Sequence, residues 1–217
     1  TNWASDPEVT RFLRWEPHKN ALETVGLLAA WATLYPNPDY YQWAIVEKAS
    51  GQVFGSIGIF NALLGDPAQK ALWPQQDCTD GIWEAGYCIG KHWWNHGFAT
   101  EALKAAVNYW FENTDGGWLT CCHAKENPAS GRVMEKAGFL YHHDAIGICV
   151  VRCDDRMQFF EVIPGSFPAL RALPSATRRQ ANFHFASYKL LHVYRYTGVC
   201  KKHIMIKNEK QEHFLKI

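Results

Sequence analysis

Two stretches of the chain combine residue types and spacings that can do chemistry. The first runs Ile89-Gly90-Lys91-His92-Trp93-Trp94-Asn95-His96-Gly97-Phe98-Ala99-Thr100-Glu101-Ala102-Leu103. A predicted strand ends in it, a turn holds Gly97, and a predicted helix follows at once. The first turn of a helix leaves several N–H groups unbonded, with a partial positive charge behind them. A diphosphate is a natural occupant of such a site. The small residues Gly97 and Ala99 let the backbone come close to phosphate oxygens. Many strand-turn-helix junctions bind nothing, so this stretch alone does not specify a ligand. The second stretch runs from Glu126 to Phe139. Asn127 reads as an N-cap, Pro128 as the first helical residue and Gly138 as the stop. Alone it is a capped amphipathic helix. Both stretches together, separated by one predicted strand, are far more specific than either.

Weaker constellations carry less. His92 and His96 are spaced as metal ligands on a helix, but they fall on a strand-to-loop segment without a third ligand. Cys149, Cys153 and His184 lack metal-site spacing, so no metal is expected. Trp93-Trp94, Trp110 and Trp118 read as packing residues, because no basic stripe accompanies them as in a base-stacking surface.

The elements that must position these stretches alternate along the chain. Ser5 or Asp6 before Pro7 and Glu8 starts a helix that should run to about Trp15. Asn20–Tyr35 has apolar residues at helical spacing and is stopped by Pro36. Tyr41–Lys48 and Val53–Asn61 read as strands joined near Ser50-Gly51. Residues 62–79 read as a long loop. Its acids Asp66, Asp77 and Asp80 would suit a cationic amine or simply be solvated. Ile82–Gly90 reads as a strand, Gly97–Asn113 as a helix and Trp118–Ala124 as a short strand. The result is an α/β (α+β) domain, with one layer of sheet and helices against it.

Composition narrows the class. Lys+Arg 22 against Asp+Glu 21 leaves a net charge of +1, which argues against nucleic-acid or anionic-membrane partners. No window approaches 18 apolar residues, the length a membrane-spanning helix needs, and no leader-like start is visible. Seven Cys without a CxxC pair argue against a disulfide scaffold, so a reducing, cytoplasmic setting is expected. The chain also has a break. All ten Trp lie between Trp3 and Trp118. Up to Leu140 there are 10 Lys+Arg against 15 Asp+Glu, and from Tyr141 onward 12 against 6. We therefore expect a domain over 1–163, with Ala145–Cys153 and Gln158–Ile163 as possible strands. A divergent basic tail should follow over 164–217, poorly packed from Arg178 to Ile217.

The two stretches resemble the GNAT superfamily of acyl-CoA-dependent N-acyltransferases, in the branch similar to ribosomal-protein N-terminal acetyltransferases. Gly97-Phe98-Ala99 matches the G-x-G/A part of its phosphate-loop pattern, with Trp94 at the Q/R position. Asn127, Ser130, Lys136, Gly138 and Phe139 match its N-x-x-S…K-x-G-F helix, and Glu84-Ala85-Gly86-Tyr87 its E-x-G-Y strand. The match covers about Trp3 to Leu140. The resemblance implies a mixed, mostly antiparallel twisted sheet that splays between the fourth and fifth family strands. It implies acetyl-CoA as co-substrate, its arm against the backbone of Tyr87, Cys88 and Ile89 and its diphosphate on amides from His96 to Thr100. Asn127 and Ser130 would face the thioester or the arm, and Lys136 would belong to the same site. The family's first strand is expected to be missing, which would leave an unpaired sheet edge.

The implied reaction moves an acetyl group to a primary amine, on a protein N-terminus or a small molecule, by direct attack. The amine must be neutral to attack. An α-amine with a pKa near ~8 has a useful neutral fraction at pH 7, whereas a lysine near ~10.4 does not. Glu84 is the candidate base, or alternatively a positioner or a structural residue. Asn127 and Ser130 complete the candidate catalytic set. Met134 stands where many members have a Tyr that protonates the leaving thiolate, and Met cannot donate. Cys88 and Cys121-Cys122 would lie near the cleft, where an acyl-cysteine is conceivable but a buried thiol is the commoner role. The competing reading is an acyl-CoA-binding module, or an inactive fragment, without turnover. Either would act as a monomer or homodimer.

Overall fold

A computed structural model describes residues 3–48, 50–62, 70–146 and 156–163 and the strand 192–195. Asp6 caps helix α1, its Oδ1 accepting from the Glu8 amide at 2.9 Å. The helix spans only Pro7–Thr10 and does not reach Trp15 as the spacing predicts. The chain leaves the helix early, and Phe12, Arg14 and Trp15 face a cavity instead of continuing a helical face. Asn20 caps α2 (Ala21–Leu34), accepting from the amides of Leu22 and Glu23 at 2.9 and 3.2 Å. Strands β1 (Tyr41–Val46), β2 (Val53–Asn61) and β3 (Trp83–Ile89) form an antiparallel meander. A 3-10 turn, Lys91–Trp93, leads to α3 (Phe98–Asn113), then β4 (Leu119–Ala124) and α4 (Pro128–Lys136). Gly138 ends α4 with φ +93°, the left-handed conformation that favours glycine, and its amide donates back to Glu135 at 3.0 Å.

The sheet order is β5-β6-β4-β3-β2-β1-β7, with β5 at Leu140–Ile146, β6 at Arg156–Val162 and β7 at His192–Arg195. Two findings differ from the sequence reading. Strand β5 begins at Leu140, so Tyr141–Asp144 belong to the sheet although they match no family pattern. A register irregularity between Tyr141 and His143 lets this polar run pair with β6. The outer edge of β1 is covered: β7 pairs with it antiparallel from Trp43↔Arg195 to Val46↔His192. That edge was expected to be bare. The remainder of the Arg178–Ile217 tail, and part of Ala145–Cys153, lies outside the described residues.

The core sits between the sheet and α3. Ala102, Leu103, Ala106, Val107, Trp110 and Phe111 face Ile45, Ile57, Ile59 and Leu119. These residues recur at the helical period, which is why this face was readable. Leu103 is fully buried. Leu103→Ala is expected to cost about 2–5 kcal/mol, read as a lower urea midpoint with unchanged slope. A second cluster holds the later part of the long loop. Trp73, 2% exposed, packs on Trp118 and Phe159, and the Trp118 indole donates to the Asp77 carbonyl at 3.0 Å. Helix α2 differs from α3. It is rich in apolar residues yet none is buried, and Leu22 is 79% exposed.

Candidate active site

The parallel pair at the centre of the sheet opens the site. β3 and β4 share the single register pair Glu84↔Thr120, and the Cys121 thiol donates to the Ala85 carbonyl at 3.0 Å. Beyond that point no described ladder joins Gly86–Ile89 to β4. This is the splay that the resemblance implied. A cavity of about 1340 Å³ enters the gap. Tyr87, Cys88 and Ile89 line one side, and Asn127, Ser130 and Lys136 the other. Its far end reaches Gly97, Phe98, Ala99 and Thr100. Ten of the predicted cofactor residues therefore share one cavity. His96 does not line it; its ring stacks on Phe98.

Gly97 is the N-cap of α3 with φ +84°, and no side chain bonds the first amides of that helix. A glycine is needed for this conformation, since a Cβ there meets no neighbour and only the backbone angle is strained. Amides at a helix start without a side-chain cap have the geometry and partial positive charge that suit an anion. Trp94, at the family's Q/R position, has a structural role: its indole donates to the Ile89 carbonyl at 2.7 Å.

Tyr87 spans the gap. Its hydroxyl lies 2.7 Å from Ser130 Oγ and donates to the Ser130 carbonyl at 3.2 Å. Burial pushes the phenol far above its ordinary value, so it keeps its proton at any working pH. Asn127 Oδ1 accepts from the Ser130 amide at 3.4 Å and caps α4. Met134 lies in the core, 1% exposed, and not in the cavity.

Glu84 is 5% exposed and bound by a residue the sequence reading missed. Arg14 Nη2 reaches both carboxylate oxygens, at 2.6 and 2.9 Å. Burial disfavours the guanidinium charge, but the pull of Glu84 outweighs it and the net shift is upward. The Cys122 thiol donates to Glu84 Oε1 at 3.4 Å. No local pattern announces this pair, because its members are far apart in the chain. Burial also pushes the Cys88 thiol up to about 12, and Cys121 and Cys122 well above their usual range. All three remain thiols near neutral pH and are poor nucleophiles. Among the described residues, no group of three or more His, Cys, Asp or Glu is placed to hold a metal ion. Among them, too, no helix is long and apolar enough to cross a membrane.

Comparison with known proteins agrees with this geometry. The family described as acetyltransferase (GNAT) domain matches residues 1–140. The uncharacterized N-acetyltransferase YoaA of Bacillus subtilis is 29% identical over 135 residues, which cover 62% of this chain and 68% of that protein. The structure of AAC(6')-Ib in complex with ribostamycin and coenzyme A superposes with a TM-score of 0.59 at 12% identity, covering 80% of this chain and 89% of that one. Spermidine N-acetyltransferase from Vibrio cholerae, in complex with CoA and spermine, gives 0.56 at 13%, covering 75% and 86%. With its splayed central strands and the match over its first 140 residues, the chain belongs to the GNAT acetyltransferase family.

Proposed function

We propose that the chain transfers an acetyl group from acetyl-CoA to a primary amine by direct attack in a ternary complex. The observation that carries this reading is the continuous cavity joining the β3–β4 gap to the uncapped amides at Gly97. The diphosphate of the donor sits on the amides of Phe98 to Thr100. The arm runs beside Tyr87, Cys88 and Ile89, whose backbone lacks a described partner on the β4 side. Asn127 and Ser130 flank the thioester end, with Lys136 on the same wall.

The neutral amine nitrogen attacks the thioester carbonyl carbon, the C–S bond breaks, and CoA leaves as thiolate. The amine then loses its extra proton to water. A thiol of pKa near ~8.5 is a fair leaving group and needs only partial help. The Ser130 hydroxyl, held by Tyr87, gives that help as a hydrogen-bond donor. A phenol raised so far holds its proton too firmly to act as an acid. Glu84, with both oxygens on Arg14, serves as a fixed acceptor that orients an amine N–H; taking a proton would break its charge pair. The raised thiols of Cys88, Cys121 and Cys122 argue against an acyl-cysteine.

The test is release of free CoA thiol from acetyl-CoA with a panel of small amines and short peptides. Turnover that needs both substrates supports the reading. Calorimetric binding of acetyl-CoA without thiol release from any amine would identify a binding module instead. Tyr87→Phe should lower kcat by about tenfold with little change in the KM for acetyl-CoA, since it removes the hydroxyl that holds Ser130 in place beside the leaving sulfur.

A further inference from the structure

The donor accounts for only part of the cavity. The remainder lies between α2, the segment 11–20 and the end of β2, and its wall is apolar. Phe12, Trp15, Val25, Leu28, Trp31 and Phe60 line it. This explains the exposure of α2. Apolar side chains at helical spacing normally face a core, but here they face the cavity, and Val25 is 57% exposed.

The charges point the same way. Among the described residues lining the cavity, the carboxylates are Glu8 and Glu84, and both are paired, with Lys91 and Arg14. Arg14 is already the partner of Glu84, and the other cations on the lining, Arg132 and Lys136, belong to α4 on the donor side. The loop acids do not compensate. Asp77 spends its carboxylate on the amide and hydroxyl of Thr79, and neither it nor Asp80 lines the cavity. Asp66 is outside the described residues. A polycation entering this space would lose hydration at several ammonium groups and find, among the described residues of the lining, no unpaired carboxylate to replace it. An amine with one charge on an apolar body needs one polar contact, and the rest of its surface leaves water.

Resting on the acetyl-transfer reading, we infer that the acceptor is a primary amine bearing a single positive charge on a ring-bearing, apolar body, and that polycationic amines are rejected. The class differs from the amines in the two structural neighbours described above, ribostamycin and spermine. α2 is the selecting wall, and Val25, more exposed than Leu27 beside it on the cavity, is the position that tests it.

The full chain, saturated with acetyl-CoA, is offered 2-phenylethylamine, tryptamine, spermine and kanamycin, and thiol release is followed. The aryl amines should give kcat/KM at least about tenfold above the polycations. Val25→Gln, a change at an exposed helical position, should raise the KM for 2-phenylethylamine by about tenfold and leave acetyl-CoA affinity unchanged. Equal or faster turnover of spermine or kanamycin overturns the inference while the transfer reading stands, as does an unchanged KM in the variant. If no amine releases thiol, the transfer reading fails, and calorimetry of the same amines into the CoA-saturated protein decides the inference separately. Heat from 2-phenylethylamine and none from spermine then upholds it; any other pattern overturns it.

Discussion

Glu84→Gln is expected to lower kcat/KM for acetyl transfer by about 100-fold while the rise of rate with pH is retained. The substitution keeps the shape and removes the charge that holds Arg14 at 2.6 and 2.9 Å. Arg14 is then free to move, and the acceptor loses an oriented partner; a misplacement of about 1 Å is enough for a loss of this size. The rise with pH belongs to deprotonation of the acceptor ammonium, so it survives. If Glu84 were instead the base, the Gln variant would lose part of that rise, and a flattened profile would refute the positioning role. Stability gives an independent check with a direction. Arg14→Met leaves the Glu84 carboxylate, with its side chain 7% exposed, buried without its partner, which should cost about 3–5 kcal/mol. Glu84→Gln leaves a guanidinium that is 38% exposed and partly solvated, so its cost is discounted to about 1–2 kcal/mol. The double variant should lose less than the two singles added, measured by urea unfolding.

Gly97→Val should weaken acetyl-CoA binding by about 10- to 100-fold and leave binding of S-acetylpantetheine, which lacks the diphosphate, within about twofold. The residue holds φ +84°, where a Cβ costs about 1–2 kcal/mol and a branched one is rarely seen at all. An added Cβ has no neighbour within 4 Å, so the cost is conformational and not a clash. The chain relieves it by turning the first amides of α3 away from their common focus. Calorimetry with both thioesters separates this from general damage, since misfolding would weaken the two equally.

The parts of the site legible in the sequence are those written locally. Gly97 before a helix, Asn127-Pro128 at a cap and Gly138 at a stop each act within a few residues, and each stands where it was expected. The apolar face of α3 was legible for the same reason. What was not legible depends on distant partners. Arg14 sits in a segment that reads as helix, and nothing near it points to Glu84. Trp73 lies in an unpatterned loop and gains its place only from Trp118 and Phe159. The polar run Tyr141–Asp144 becomes a strand because β6 pairs with it, a tertiary choice that overrides propensity. The apolar spacing of α2 was read correctly, but periodicity cannot distinguish a face turned to a core from one turned to a cavity.

The break between β3 and β4 lies in the interior of the sheet, away from its margins. β3 is laddered to β2 over seven register pairs and β4 to β6 over six, so both lips are held from behind. The spacing of the slot is set by these two outer ladders. A flexible arm with its own amide groups can therefore complete the interrupted ladder without first prying strands apart. Little ordering of the protein is then charged against association, and the specificity of the slot is one of spacing set in advance.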